Sequence, residues 1–310
     1  MEGFITMNNL ITDAVIVGTG PAGMNAALYL KRAGIKFLII GKIWESQVAK
    51  TGILENYLGF ATGQGSQLVS IFKKQLDNFD IKIINELVKE IQILDADGFL
   101  VITETKIIHT KTVLFATGAS YKKLNIPGEN LPEVSNCVTC DGFLYQNETV
   151  AIIGGGNSAL DSALYLNKLN INCYIINKNN YFKSVDYNLF NKCMDKKIKI
   201  LYNCLTKEII GEHNIEKISY EDENKKLLTL DCKAVFINIG TSPAVQPLKK
   251  YFSNYLNDYN ELIIDSKNQV MKGFFACGDV CAGILKQVSI AIGEGAKAAI
   301  YLSDYIVKEL

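Results

Sequence analysis

The sequence predicts an α/β protein made of two βαβ units, the second inserted into the first. Three observations carry this expectation. A glycine-rich turn, GTGPAG (18–23), follows an apolar run and precedes a helical pattern. The same arrangement returns far downstream as GGGNSA (154–159). Later segments at 233–243 and 273–280 again read as apolar strands ending in glycine.

Residues 14–17 form a continuous apolar run, the pattern of a parallel strand buried on both faces. After the turn, the helical pattern runs to Gly34, which suits a C-terminal stop, and 36–40 is the returning strand. Glycines in such a turn let the backbone approach a pyrophosphate, which then sits at the positive helix N-terminus. Residues 149–153 and 173–176 flank the second turn and its helix in the same way. One such turn is a weak signal; two, each between strand and helix, are a strong one. The segment 112–119 is an apolar strand with a glycine turn, and 233–243 is its counterpart in the second unit. Residues 273–280 end in Gly278-Asp279, and a carboxylate at a strand end suits hydrogen bonds from polyol hydroxyls. Crossovers near 116–120 and 239–243 divide the chain into one domain of 1–116 with 244–310 and another of 117–243.

Composition narrows the function classes. With 310 residues, 48% hydrophobic, 21% charged and zero formal net charge, bulk affinity for nucleic acid or an anionic membrane is not expected. No apolar run approaches a membrane span and no signal peptide is recognisable, so a cytoplasmic protein is expected. Arg32 is the sole arginine, and every other cation is lysine.

Eight cysteines are dilute in a chain of this length, and in a reducing compartment most are expected as free thiols. Cys173, Cys193, Cys204 and Cys232 have no regular spacing and read as small buried hydrophobes. The stretch CVTCDG (137–142) differs, with two thiols three residues apart and a carboxylate directly after them. That spacing suits half a zinc site, a structural disulfide or a redox couple. Zinc fails on ligand count, since there is no second CxxC and the only histidines are His109 and His213; no metal is expected. A redox CxxC works because one thiol is readily ionised and the other resolves the mixed disulfide. Asp141 is then the candidate proton donor or acceptor, although an aspartate there also suits a helix cap.

Residues 13–310 resemble the low-molecular-weight thioredoxin reductase family, class II of the pyridine nucleotide-disulfide oxidoreductases. The motifs carrying this are VGTGPAG (17–23), ENYLGF (55–60), ATGA…IPGE (116–129), CVTCDG (137–142), GGGNSA (154–159), IGTSP (239–243) and FFACGDV…KQVSIAIGEGA (274–296), in family order. The resemblance implies two Rossmann-like three-layer (ββα) domains, the outer one binding FAD. Gly18, Thr19, Gly20, Pro21, Ala22, Gly23, Gly41, Gln47, Asn56, Ala116, Thr117, Gly118, Gly278, Asp279, Lys286, Gln287 and Val288 match the FAD positions. Gly154, Gly156, Asn157, Ser158, Ala159, Lys178 and Lys183 match those for NADPH or NADH. The implied activity is reduction of thioredoxin through Cys137 and Cys140, with Cys140 facing the flavin and Cys137 attacking the substrate, in a homodimer.

The chain departs from the family in two places. The stretch KIWESQVAKT (42–51) retains only Gln47 of a Gly-Gly-Gln turn, and Trp44 sits there, either covering the flavin or exposed. NKNNYFK (177–183) stands where NADPH enzymes of the family carry three arginines. Lysine neutralises a phosphate without arginine's bidentate fork. Two alternatives are thereby kept: a ferredoxin-linked reductase of the same family, and a flavin-dependent dithiol oxidase. Cys277 reads as a substitute for a small strand residue; for Cys281 an extra thiol near the flavin edge is the minor reading, and its role is left open.

Overall fold

The computed structural model describes residues 8–51, 53–54, 56–94, 98–182, 186–283 and 285–309. The chain opens with β1 (Asn8–Val17), α1 (Pro21–Arg32) and β2 (Phe37–Ile40). Proline at the first position of α1 starts the helix without wasting a donor, and Lys31 and Arg32 sit favourably at its negative end. Next come β3 (Ile53–Leu54), β4 (Gly63–Gln64) and α2 (Gly65–Asn78). In α2 a capping box forms, with Gln64 and Gln67 each bonding the other's backbone. Then β5 (Ile83–Ile84), β6 (Glu90–Ile93), β7 (Phe99–Ile102) and β8 (Lys106–Phe115) follow. The segment β9 (Ala119–Tyr121) ends this part of the chain.

The inserted stretch contains β10 (Val134–Ser135), α3 (Val138–Asp141), β11 (Thr149–Ile153), α4 (Asn157–Lys168), β12 (Asn172–Ile176) and α5 (Tyr187–Asp195). It continues with β13 (Lys199–Leu201), β14 (Leu205–Ile210), β15 (Lys217–Glu221), β16 (Leu227–Asp231) and β17 (Ala234–Ile237). After β18 (Thr241–Pro243), which pairs with β9, come β19 (Gln269–Met271), β20 (Phe274–Ala276) and α6 (Val288–Glu309). Two compact units result: Met1–Ser120 with Ser242–Leu310, and Tyr121–Thr241.

In the first unit the sheet runs β19-β20-β8-β1-β2-β5, with β6 and β7 joined antiparallel along β8. Alternate residues of each strand face opposite sides. Ala14, Ile16, Leu114 and Phe275 pack with α1, α2 and α6, whereas Val15, Val17, Val113, Phe115 and Phe274 pack with Phe99, Val101, Leu248 and Phe252. This is why residues 14–17 read as unbroken apolar sequence: both faces are covered. The second unit repeats the logic with sheet order β10-β17-β11-β12-β13. Val150 and Ile152 pack with Leu160, Ala163 and Cys193, while Ala151 and Ile153 pack with Ile209, Ile218 and Tyr220 of the antiparallel β14-β15-β16 sheet. Helices, parallel sheet and antiparallel sheet make three layers, so the α/β class expected from the sequence is the class observed. No helix among the described residues is long and apolar enough to cross a membrane.

Phe274, fully buried, meets Phe252, Phe99 and Phe115 at ring-centroid distances of 4.6, 5.6 and 6.0 Å. Phe274→Ala is expected to lower stability by about 3–5 kcal/mol, and Phe274→Leu by about 1–2 kcal/mol, read from urea unfolding midpoints.

Candidate active site

Strand register fixes where the site falls. Val17 is level with Ile40 on one side and Phe115 on the other, and Phe115 is level with Ala276. The residues that leave the sheet next, Gly18, Gly41, Ala116 and Cys277, therefore emerge side by side at the carboxyl ends of parallel strands, where open α/β sheets bind ligands. A Cβ on Gly23 would lie 2.0 Å from the Gly18 carbonyl oxygen, so only glycine lets α1 begin this close to the turn. At Gly20 a Cβ would meet nothing within 4 Å, which leaves open space beside the turn. Thr19 is buried, and Gly41 packs so closely that its Cβ would stand 2.7 Å from Thr19 Oγ1. The Ala116 N–H bonds the Val17 carbonyl at 2.7 Å, and Thr117 Oγ1 donates to the Ala244 carbonyl at 2.9 Å. Gly118 has φ +72° and turns the chain after β8.

At the end of β20, Gly278 sits where a Cβ would be 3.1 Å from that of Ala22. Asp279 Oδ1 is buried with no hydrogen-bond partner. Burial pushes this carboxyl up to about 6, against the opposing pull of the Lys286 ammonium. Lys286 Nζ pairs with Glu261 Oε1 at 3.1 Å. Asn56 Nδ2 donates to Gln287 Oε1 at 3.1 Å, joining two segments 231 residues apart in sequence. Val288, at the start of α6, packs against the helix-side core. Gln47 and Trp44 lie on short turns after β2 and are exposed, Trp44 at 57%.

Cys277 and Cys281 are both fully buried, and burial pushes both thiols up. The reading of Cys277 as a small packed strand residue agrees with this. Cys281 is equally enclosed in the core, which speaks against the minor reading of it as an extra thiol for the site.

In the second unit Ile153 is level with both Ile176 and Ile237, so Gly154, Asn177 and Asn238 emerge together. Asn157 and Ser158 are exposed at the first turn of α4, Ala159 is buried, and Gly156 precedes them as the cap. Asn157 Oδ1 accepts the Asp186 N–H at 2.9 Å, tying the start of α4 to that of α5. Asn177 is buried and committed to its own loop. Its Nδ2 donates to the Tyr181 carbonyl at 2.9 Å, and its Oδ1 accepts the Asn179 N–H at 3.0 Å. Lys178 is exposed, and Lys183 lies outside the described residues.

Cys137 and Cys140 are joined by a disulfide across the single turn of α3, with a Cα–Cα distance of 5.3 Å. Both are half-buried. The Cys137 carbonyl accepts from the N–H of Cys140 at 3.2 Å and of Asp141 at 3.1 Å. Asp141 makes no side-chain cap for the following turn; its Oδ2 accepts from Ser135 Oγ at 2.5 Å. Burial raises its carboxyl pKa, and the Ser135 bond works against that rise. Sequence reasoning does not single out Ser135 or the side chain of Asn177. A serine two residues before the first cysteine is the only trace the former leaves.

Residues 12–295 match the pyridine nucleotide-disulphide oxidoreductase family. A curated thioredoxin reductase of Ureaplasma parvum is 34% identical, the match covering 97% of this chain and 99% of that protein. One component of the alkyl hydroperoxide reductase of Staphylococcus aureus is also 34% identical over 96% of this chain, which spans 59% of that longer protein. Among solved structures, thioredoxin reductase from Streptococcus pyogenes superimposes with a TM-score of 0.87 at 28% identity, covering 97% of this chain and 99% of the other. The fold and the closed cysteine pair thus define a pyridine nucleotide-disulphide oxidoreductase. Within that class, the chain belongs to the low-molecular-weight thioredoxin reductase family. It is an oxidoreductase acting on sulfur groups.

The Asp279 carboxyl has a folded-state pKa above its unfolded value, so ionising it opposes folding. Its cost to the flavin-free protein is absent below about pH 4, grows as pH rises to about 6, and is constant above that. Asp279→Asn should therefore stabilise the flavin-free protein at pH 7 by on the order of 1–3 kcal/mol and leave it unchanged near pH 3.5, as read by thermal melting.

Proposed function

We propose that this chain is a thioredoxin-disulfide reductase in which the Cys137–Cys140 pair passes two electrons to the disulfide of thioredoxin or a thioredoxin-like protein. The observation that carries the reading is the closed Cys137–Cys140 pair with the Asp141 carboxyl fixed beside it. The first unit fits FAD on two counts: the tight turn with open space at Gly20, and a buried, unpartnered Asp279 Oδ1 at a strand end. Residues 18–23 would hold the pyrophosphate and Asp279 the ribityl hydroxyls. Gly41, Gln47, Asn56, 116–118, Gly278 and 286–288 would line the rest. FAD, when bound, supplies two-electron exchange between a one- or two-electron donor and a disulfide.

The protein's own part is sulfur and proton chemistry. In the reduced pair, Cys137 Sγ attacks one sulfur of the partner disulfide and displaces the other. Cys140 Sγ then attacks Cys137, closing the internal disulfide and freeing the reduced partner. Asp141 supplies protons to the departing sulfurs. Both cysteines stand on one helical turn, so the resolving thiol needs no search.

NADPH or NADH is the proposed donor, held at Gly154, Gly156, Asn157, Ser158 and Ala159, with Lys178 and Lys183 the candidates for its ribose end. A homodimer in the cytoplasm is the accompanying family expectation. A ferredoxin-linked second reading is favoured by one observation: Asn177 spends both side-chain groups on its own loop, where a nucleotide-binding strand ordinarily offers a ribose reader.

Anaerobic titration of the FAD-loaded protein separates these readings. Bleaching by micromolar NADPH or NADH is expected, and bleaching only by reduced ferredoxin would replace the donor. Cys140→Ser is expected to retain a bound, reducible flavin and lose at least about 10³-fold in thioredoxin reduction, measured by insulin precipitation. Wild-type turnover in that variant would overturn the assignment.

A further inference from the structure

We propose that Ser135 is a positioning residue for the sulfur chemistry, its one hydroxyl holding the Asp141 carboxyl and the Cys137 backbone in fixed relation. The proposal rests on the reading of Cys137–Cys140 as the redox centre. Ser135 ends β10 and pairs with Phe236 of β17, so its backbone is held by the parallel sheet. Its Oγ donates to Asp141 Oδ2 at 2.5 Å and accepts the Cys137 N–H at 3.0 Å. Asp141 in turn donates its own N–H to the Cys137 carbonyl. The carboxyl that handles protons and the cysteine that attacks are thereby linked twice, once through backbone and once through the serine. Without the hydroxyl, no other side-chain hydrogen bond among the described residues fixes the direction of this half-buried carboxyl on its single turn of helix.

The surroundings support a positioning role over simple ion pairing. No salt bridge to Asp141 occurs among the described residues. The Tyr145 phenol, pushed up to about 12 by burial and by the negative charges of Glu133 and Asp141, stays neutral. From α4, Leu166 and Tyr165 pack against Gly142 directly after it. The serine is thus the group that orients Oδ2 and leaves Oδ1 to exchange protons.

The chemistry assigns the need. When Cys137 Sγ bonds to one partner sulfur, the partner S–S bond breaks and the displaced sulfur leaves with the electron pair and takes a proton. When Cys140 Sγ bonds to Cys137, the mixed disulfide breaks and the second partner sulfur takes another. Two electrons and two protons pass from the dithiol to the partner. A poor leaving group, an alkyl thiolate, depends on aligned proton delivery, whereas a good one does not.

That dependence gives the test. Prereduced full-length FAD-loaded protein is mixed anaerobically with bis(2-hydroxyethyl) disulfide or with 2,2′-dipyridyl disulfide. The remaining Cys137 and Cys140 thiols are counted by quench alkylation and mass spectrometry across pH. Ser135→Ala is expected to be roughly tenfold slower with the alkyl disulfide and within about twofold of wild type with the dipyridyl disulfide. The falling limb of its alkyl pH profile should move to higher pH, since the serine bond lowers the Asp141 pKa. Ser135→Thr should restore the rate, and Ser135→Ala in an Asp141→Asn background should add nothing. Equal slowing with both disulfides, unchanged rates, or a further loss in the double variant would overturn the proposal. Cys137→Ser serves as the separate check: wild-type exchange in it would sink the redox assignment itself, whereas its inactivity beside a normal Ser135→Ala would sink only the role of the serine.

Discussion

Everything at the candidate site depends on one constraint: neighbouring parallel strands end at the same level. Val17, Ile40, Phe115 and Ala276 form a single row, and Ile153, Ile176 and Ile237 form another. Hydrogen-bond register sets those rows, and apolar side chains on both faces prevent a slip, because moving one strand by one residue would exchange its two buried faces. With the row fixed, the chain has to turn sharply off each strand within a narrow strip. Gly18 and Gly154 meet that demand, since a Cβ at either would strike a carbonyl oxygen of a neighbouring strand end.

The same strip accounts for the placement of polar groups. Asp279 sits three residues beyond β20, half-buried as a residue but with its Oδ1 buried and without a hydrogen-bond partner. A carboxylate oxygen left unpaired there is a standing cost to the isolated protein, and a polyhydroxyl ligand would offset it. Asn177, the first residue past β12 in the second unit, has resolved its needs internally. The two units are alike in backbone logic and opposite in how they have left their polar side chains.

The sequence made much of this legible. Both glycine turns, the strands that feed them, the Gly278-Asp279 corner and the cysteine pair all announce themselves through apolar runs broken by glycine. What stayed hidden has physical causes. The first half of β1, residues 8–13, is mixed in polarity, and Thr12 and Asp13 belong to the strand through bonds such as Thr12 Oγ1 to the Lys36 carbonyl and Thr112 Oγ1 to the Asp13 carbonyl. Strand β16 alternates exposed and half-buried positions, a weak pattern beside the buried strands. Ser135 and Asn177 each act through a pair of local side-chain hydrogen bonds, and a lone serine or asparagine carries no periodicity from which a role could be read.

Six of the eight cysteines are buried free thiols. Burial pushes Cys173 and Cys232 up to about 12 and Cys193 to about 11, and raises Cys204, Cys277 and Cys281 as well. Thiolate is the reacting species in disulfide exchange, so burial disfavours that reaction at all six. A protein that handles other proteins' disulfides while carrying so many of its own sulfurs risks scrambling itself. Here the hydrophobic core serves as electrical insulation: it keeps the current in one two-sulfur wire and leaves the remaining sulfur off the circuit.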